Sequence, residues 1–118
     1  MKLAVIGART YFDYGQLSLA ICQCFPVETI DTILTNSSGG VSSLAGMFAA
    51  AKNKTFESYF PDCEKEVRKA RHANNRKLIN ACDALIAFYD GHHEETKRLI
   101  DMAKNDHKCV VIIYINRL

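Results

Sequence analysis

The chain contains no apolar run long enough to be a membrane span or the core of a secretion signal. Its N-terminal run, Leu3 to Ala8, stops after six residues at Arg9, whereas a span needs about 20, so a cytoplasmic location with no membrane partner is expected. The five cysteines, Cys22, Cys24, Cys63, Cys82 and Cys109, are odd in number and lack the paired spacing of a zinc site. They imply neither a disulfide framework nor a cysteine metal centre. Excess charge is also missing, because 15 Lys and Arg against 13 Asp and Glu leave only +2. That balance does not by itself attract nucleic acid or an anionic membrane. Finally, the sequence displays no nucleophile paired with a base and no metal-ligand set.

What is present is enough for one domain with a real core. The length of 118 residues falls within the usual range of about 100–150 for a single domain. Short runs rich in Val, Ile and Phe alternate with longer stretches of helical period, which is the pattern of βαβ units. The runs predict strands over Lys2 to Gly7, Glu28 to Leu34, Thr55 to Phe60, Ala84 to Tyr89 and Cys109 to Ile115. Helices are predicted over Tyr14 to Cys24, Ser43 to Lys52, Glu64 to Cys82 and Glu94 to Asn105. The first, fourth and fifth strands are continuously apolar, as strands covered on both faces are. The second and third alternate more and belong nearer an edge. Right-handed crossovers and this gradient favour a mainly parallel five-stranded sheet of order 3-2-1-4-5 over the order 2-1-3-4-5, with helices on both faces.

Polar clusters directly follow three of these strands, and in a parallel sheet all three emerge at one edge, where open α/β folds bind ligands. Gly7, Ala8, Arg9 and Thr10 supply a tight exit, a fixed cation and a hydroxyl. Arg9 is suited to bidentate pairing with phosphate or carboxylate, although an ion pair with Asp13 would also employ it. Asn36, Ser37, Ser38, Gly39, Gly40, Val41, Ser42 and Ser43 lead into the second helix. Their glycines permit close backbone approach, the helix N-terminus offers free amides to an anion, and Ser42 or Ser43 is a cap candidate. Asp90, Gly91, His92, His93, Glu94, Glu95 and Thr96 open the fourth helix. Two acids in a first turn suit the dipole and repel phosphate, which places phosphate toward helix two and leaves Asp90 or Glu95 for ribose hydroxyls or an amino group.

Two further features weigh less. Adjacent His92 and His93 diverge at a helix start, so no metal is expected there. The basic run Lys65 to Lys77 resembles a backbone-tracking surface, but it lacks interleaved aromatics and reads more simply as a solvated helix face. Helix two is apolar or small nearly all round, with an inward stripe of Leu44, Met47, Phe48 and Ala51. It is expected to be buried on more than one side or to form a homodimer contact.

With these residues in view, the chain resembles the YspA-like branch of the SLOG superfamily, the Rossmann-like proteins that include the SMF/DprA and Lonely-guy families. The likeness extends over nearly the whole chain. Val5-Ile6-Gly7-Ala8-Arg9-Thr10-Tyr11 matches the family's V-I-G-S-R-x-F, and Ala81-Cys82-Asp83-Ala84-Leu85-Ile86-Ala87-Phe88-Tyr89-Asp90-Gly91 matches A-D-A-L-I-A-F-W-D-G. A glycine-rich turn precedes Ser43-Leu44-Ala45, Asn74-Asn75-Arg76 stands for R-N-R, and Thr96-Lys97 and Met102-Ala103 fall at the G-T-K and M-A-K elements. The resemblance implies a single Rossmann-like domain over residues 1–118 that binds a nucleotide or nucleotide derivative, often as a dimer or larger homo-oligomer. It also implies that Asn75 and Arg76 join Arg9, the Asn36 to Ser42 turn and the Asp90 to Thr96 loop.

The departures are specific. Asn36-Ser37 replaces a glycine pair, Ser42 replaces an acid, Glu95 stands where a glycine precedes the threonine, and Asn74 replaces the first arginine. The Lonely-guy signature P-G-G-x-G-T-x-x-E is absent, so that family's phosphoribohydrolase activity does not transfer. The expectation is therefore a nucleotide-binding sensor or regulatory module. The alternatives are an N-glycosidic hydrolase using Glu95 or Asp90 and a single-stranded nucleic-acid binder acting through Lys65 to Lys77.

Overall fold

Six consecutive residues from Lys2 to Gly7 form the central strand β1, and the four inner ones, Leu3 to Ile6, are almost wholly inaccessible to solvent. A strand without alternation has to be covered on both faces, and the surrounding elements do this. The computed structural model describes residues 1–36, 40–59 and 67–115, with the side chains of 67–72 outside the description. Along the chain β1 is followed by α1 (Tyr14–Cys24), a 3-10 turn (Val27–Thr29), β2 (Thr32–Thr35), α2 (Gly40–Ala51), β3 (Thr55–Ser58), α3 (Val67–Ala81), β4 (Ala84–Tyr89), α4 (Glu94–Asn105) and β5 (Cys109–Tyr114). The strands form one all-parallel sheet in the order β3-β2-β1-β4-β5, a single Rossmann-like α/β layer.

The core is divided by the sheet. On one face Val5, Ile33, Ile86 and Phe88 meet Leu17 and Ile21 of α1 and Val41, Leu44 and Phe48 of α2. On the other, Ala4, Ile6, Leu85 and Ala87 meet Leu78 and Ile79 of α3 and Leu99 and Ile100 of α4. Asp13 starts α1 by accepting from the Gln16 amide at 3.0 Å. That bond satisfies one of the four orphan donors of a helix start. Among the described residues, no helix is long and apolar enough to cross a membrane.

Four expectations need correction. Residues 28–31 are not strand: after Pro26 the chain makes a 3-10 turn, with the Thr29 hydroxyl and amide both donating to the Pro26 carbonyl, and β2 begins only at Thr32. β2 does not alternate, since all four of its residues are buried. β5 is a sheet edge, so its apolar residues are only half-buried and Tyr114 is exposed. Helix two begins at Gly40, not Ser43, and turns a different side inward. Val41, Leu44, Ala45, Phe48 and Ala49 are buried, while Met47 and Ala51 are exposed.

Cys82 ends α3, where its thiol donates to the Ile79 carbonyl at 3.4 Å and burial pushes its pKa up. Because the thiolate is the reactive form, maleimide treatment of the native protein should label the exposed Cys24 and Cys109 and spare Cys82 until unfolding. Peptide mass mapping would reveal labelling of Cys82 at the Cys109 rate, which would contradict this packing.

Candidate functional site

At the carboxyl edge of the sheet the loop after β1 touches the start of α2. Gly40, at the start of α2, has φ +52°, and a Cβ there would lie 2.3 Å from the Ala8 carbonyl oxygen and 2.4 Å from backbone atoms of Arg9. Only glycine combines that dihedral with that proximity. The Val41 amide donates to the Ala8 carbonyl at 3.2 Å, so one orphan amide of α2 is satisfied by the β1 loop. Ser42 is buried, its Oγ accepting from Thr35 Oγ1 at 2.5 Å. The first turn of α2 carries no acidic residue.

Arg9 and Thr10 are exposed beside this helix start. Arg9 makes no ion pair among the described residues, and Asp13, the expected competitor, is engaged in capping α1. Ala8 is buried. Gly7 is explained by packing: an added Cβ would stand 2.7 Å from both the Phe88 carbonyl oxygen and Val41 Cγ2. Tyr11, which the sequence did not mark as a site residue, stacks on Phe88 with centroids 5.7 Å apart. Its hydroxyl donates to Gln16 Oε1, and burial, with the Asp13 charge second, raises its pKa. An aromatic just after a Gly-x-Arg exit was the signal that could have identified it.

The loop after β4 reaches the same rim. Asn36, buried at the end of β2, donates through Nδ2 to Glu95 Oε1 of α4 in a long contact of 3.5 Å, linking the β2 end to the α4 start. Asp90 Oδ1 accepts from the His92 and His93 amides at 2.7 and 2.9 Å, and Gly91 turns with φ +90°. His93 is the N-cap of α4: its Nδ1 accepts from the Thr96 amide and lies 2.6 Å from the Thr96 hydroxyl. Thr96 is accordingly buried, and its hydroxyl is held within the cap. Among the described residues no three His, Cys, Asp or Glu side chains cluster as ligands of a metal would.

The α3 residues divide. Asn74 donates through Nδ2 to the Tyr59 carbonyl beyond β3. Asn75 is 5% exposed and its Oδ1 is buried without a hydrogen-bond partner among the described residues. It lies on the inward side of α3, one turn before the core residues Leu78 and Ile79, hence nearer the carboxyl edge. Arg76 is a correction: its Nη1 binds Asp106 Oδ2 at 2.6 Å, beyond the C-terminus of α4, so it points away from the rim where Arg9 and Gly40 meet. Ser37, Ser38 and Gly39, together with Glu64, Lys65 and Glu66 of the basic run, lie outside the described residues. The structure thus sets Arg9 against Gly40 and Asn36 against Glu95 at the carboxyl edge, with Asp90 at the end of the neighbouring strand β4, and ties Arg76 to Asp106 beyond the C-terminus of α4. No protein-family model, curated protein or solved structure matches the chain.

Proposed function

We propose that the protein is a SLOG-type module that binds a nucleotide or nucleotide-derived ligand at the carboxyl ends of β1, β2 and β4, and that it serves as a sensor or regulatory domain. The observation that carries this reading is the approach of the Arg9 backbone to Gly40. It sets the exposed residue Arg9 beside the N-terminus of a twelve-residue helix whose first turn holds no acid. Arginine and a helix start are both donors of positive potential, and together they favour a phosphate. The first turn of α4 has Glu94 and Glu95, and that charge disfavours phosphate there. The ligand therefore lies with its phosphate toward Arg9 and its ribose toward Asp90 and Glu95. Asn75 Oδ1, buried and without a hydrogen-bond partner among the described residues, offers an acceptor to a hydroxyl or amino group.

Calorimetry and thermal unfolding against mono-, di- and triphosphates of each base test the proposal. Ligand at about 100 times its dissociation constant should add about 2.7 kcal/mol of stability. Arg9→Ala should weaken the binding by about tenfold to a hundredfold, the effect of losing a charge-assisted contact, without changing the unfolding midpoint of the free protein. Absence of both heat and shift for every nucleotide would refute the proposal. Chromatography of the same mixtures should recover the nucleotide intact; free base, abolished by Glu95→Gln, would favour N-glycosidic hydrolysis instead.

A further inference from the structure

Of the buried polar side chains toward the carboxyl edge of the sheet, Thr35 and Ser42 bond to each other, Asn36 to Glu95, Asn74 to the Tyr59 carbonyl and Thr96 to His93. Asn75 is the exception. It is as buried as these, yet its Oδ1 has no hydrogen-bond partner among the described residues. A buried acceptor left unpaired weakens the folded state, and leucine, with the same branching, would suit the helix better. The position of Asn75 decides what could reach that oxygen. α3 and α4 each follow the end of a parallel strand, so both begin at the carboxyl edge, and they share one layer of core on the same face of the sheet. In α4 the core residues Leu99 and Ile100 come one turn after Glu95 and Thr96; in α3 Leu78 and Ile79 come one turn after Asn75. Asn75 therefore lies, like the α4 start, one turn beyond the apolar core toward the rim, across the sheet from α2.

We propose that Asn75 selects the base of the ligand: the base carries an exocyclic amino group, as adenine and cytosine do, and donates it to the buried Oδ1. This inference rests on the nucleotide reading above, which sets phosphate at Arg9 and α2 and ribose at Asp90 and Glu95, and so leaves the base to turn toward α3. Reach and polarity both favour an amino group. Because Asn75 is only 5% exposed, whatever meets Oδ1 has to project from the ring, and an amino substituent does. The ring N–H of uracil or hypoxanthine sits back beside a carbonyl oxygen, which would arrive first and set acceptor against acceptor. The same side-chain amide carries donors for the ring nitrogen beside the amino group, the pairing by which asparagine reads adenine in nucleic acids. A ligand of this kind restores the hydrogen bond that the free protein forgoes, and one with a carbonyl in that place leaves the acceptor unpaired.

Calorimetry on the full chain with ribonucleoside monophosphates that differ in the substituent at purine C6 tests the proposal. AMP, with an amino group there, the unsubstituted purine ribonucleotide, and IMP, with a carbonyl, should bind in that order of affinity, AMP at least about tenfold more tightly than IMP. CMP should likewise exceed UMP, and the tighter of AMP and CMP identifies the ring. Asn75→Leu should bring AMP and IMP to within about threefold of each other by removing the acceptor. It should also hold or raise the unfolding midpoint of the free protein, since an apolar side chain of the same branching replaces an unpaired polar one. An asparagine kept only for packing would do the reverse, lowering the midpoint and leaving the ratio of affinities alone. Nucleotides bound without preference for AMP over IMP, a ratio unmoved in Asn75→Leu, or a lowered midpoint would overturn the assignment of the base and leave the nucleotide reading standing. Binding of no nucleotide at all would overturn that reading, and this inference with it.

Discussion

Gly40→Ala is expected to cost at least about 4 kcal/mol, most of the margin of a small domain, which totals about 5–15 kcal/mol. Two costs combine. The φ of +52° lies in the left-handed region, which costs an L-residue about 1–2 kcal/mol. The added Cβ would also meet the Ala8 carbonyl oxygen at 2.3 Å and Arg9 Cα at 2.4 Å, and these are backbone atoms with no rotamer to yield. Relief requires α2 to retreat from the sheet, opening the packing of Val41, Ala45, Phe48 and Ala49, all fully buried, or the β1 loop to lift with Arg9. Gly91→Ala is the control. Its φ of +90° imposes a conformational cost, but nothing lies within 4 Å of its Cβ, so about 1–3 kcal/mol is expected. Urea unfolding of the two variants measures the difference, and equal stabilities would show that the loop after β1 does not touch the start of α2. Whatever Gly40→Ala protein remains folded should bind nucleotide more weakly than Gly91→Ala, because only the first moves Arg9 relative to the α2 amides.

How far the fold could be read from the residues follows from which forces are local. β1, β4, α1 and α4 run as expected because each is bounded by local chemistry. Asp13 caps α1, the paired Glu94 and Glu95 open α4, and unbroken Val, Ile, Leu and Phe runs allow no second register for β1 and β4. The strand order also followed from sequence, since right-handed crossovers leave few arrangements of five parallel strands. The failures lie where two readings fit one string. Glu28 to Asp31 runs on without a break into the apolar residues of β2 and so reads as its beginning, yet the preceding Pro26 presets a 3-10 turn. In α2 nearly every residue is apolar or small, so two helical phases suit the sheet. Only the packing of Val41 and Ala45 on β1 and β2 selects one. A run such as Cys109 to Tyr114 reads as buried because periodicity records apolarity and not place, and at the sheet edge no further strand pairs with it among the described residues. At the site, Arg9 and Gly40 were legible because their strand ends had to meet. The Arg76 to Asp106 pair, between residues thirty apart in the sequence, leaves no local mark.

Gly7→Ala is expected to cost about 3 kcal/mol, near the upper end for overpacking, for a reason that also bears on ligand binding. Gly7 pairs with Phe88 in the β1–β4 register, and its Cα faces Val41 of α2, so β1, β4 and α2 meet at a point with no room for a methyl group. A Cβ would approach Val41 Cγ2 at 2.7 Å and the Phe88 carbonyl oxygen at the same distance. Val41→Ala alone should cost about 2 kcal/mol by leaving a void. In the double variant the new methyl enters that void, and the combined loss should be smaller than the sum by about 1–2 kcal/mol, the coupling expected of residues in direct contact. The coupling should stay below full rescue, because the Phe88 oxygen belongs to a strand and does not yield. Additive losses in chemical denaturation would mean that α2 does not rest on the end of β1. The same contact holds the β1 exit, the α2 start and the β4 end at fixed spacing, and Arg9, Gly40 and Asp90 project from those three points. A phosphate site assembled from separate loops needs such rigidity, since the donors must be in place before the anion arrives. Gly7→Ala should accordingly weaken nucleotide binding even under conditions where it is fully folded, and Val41→Ala should recover part of that affinity along with the stability.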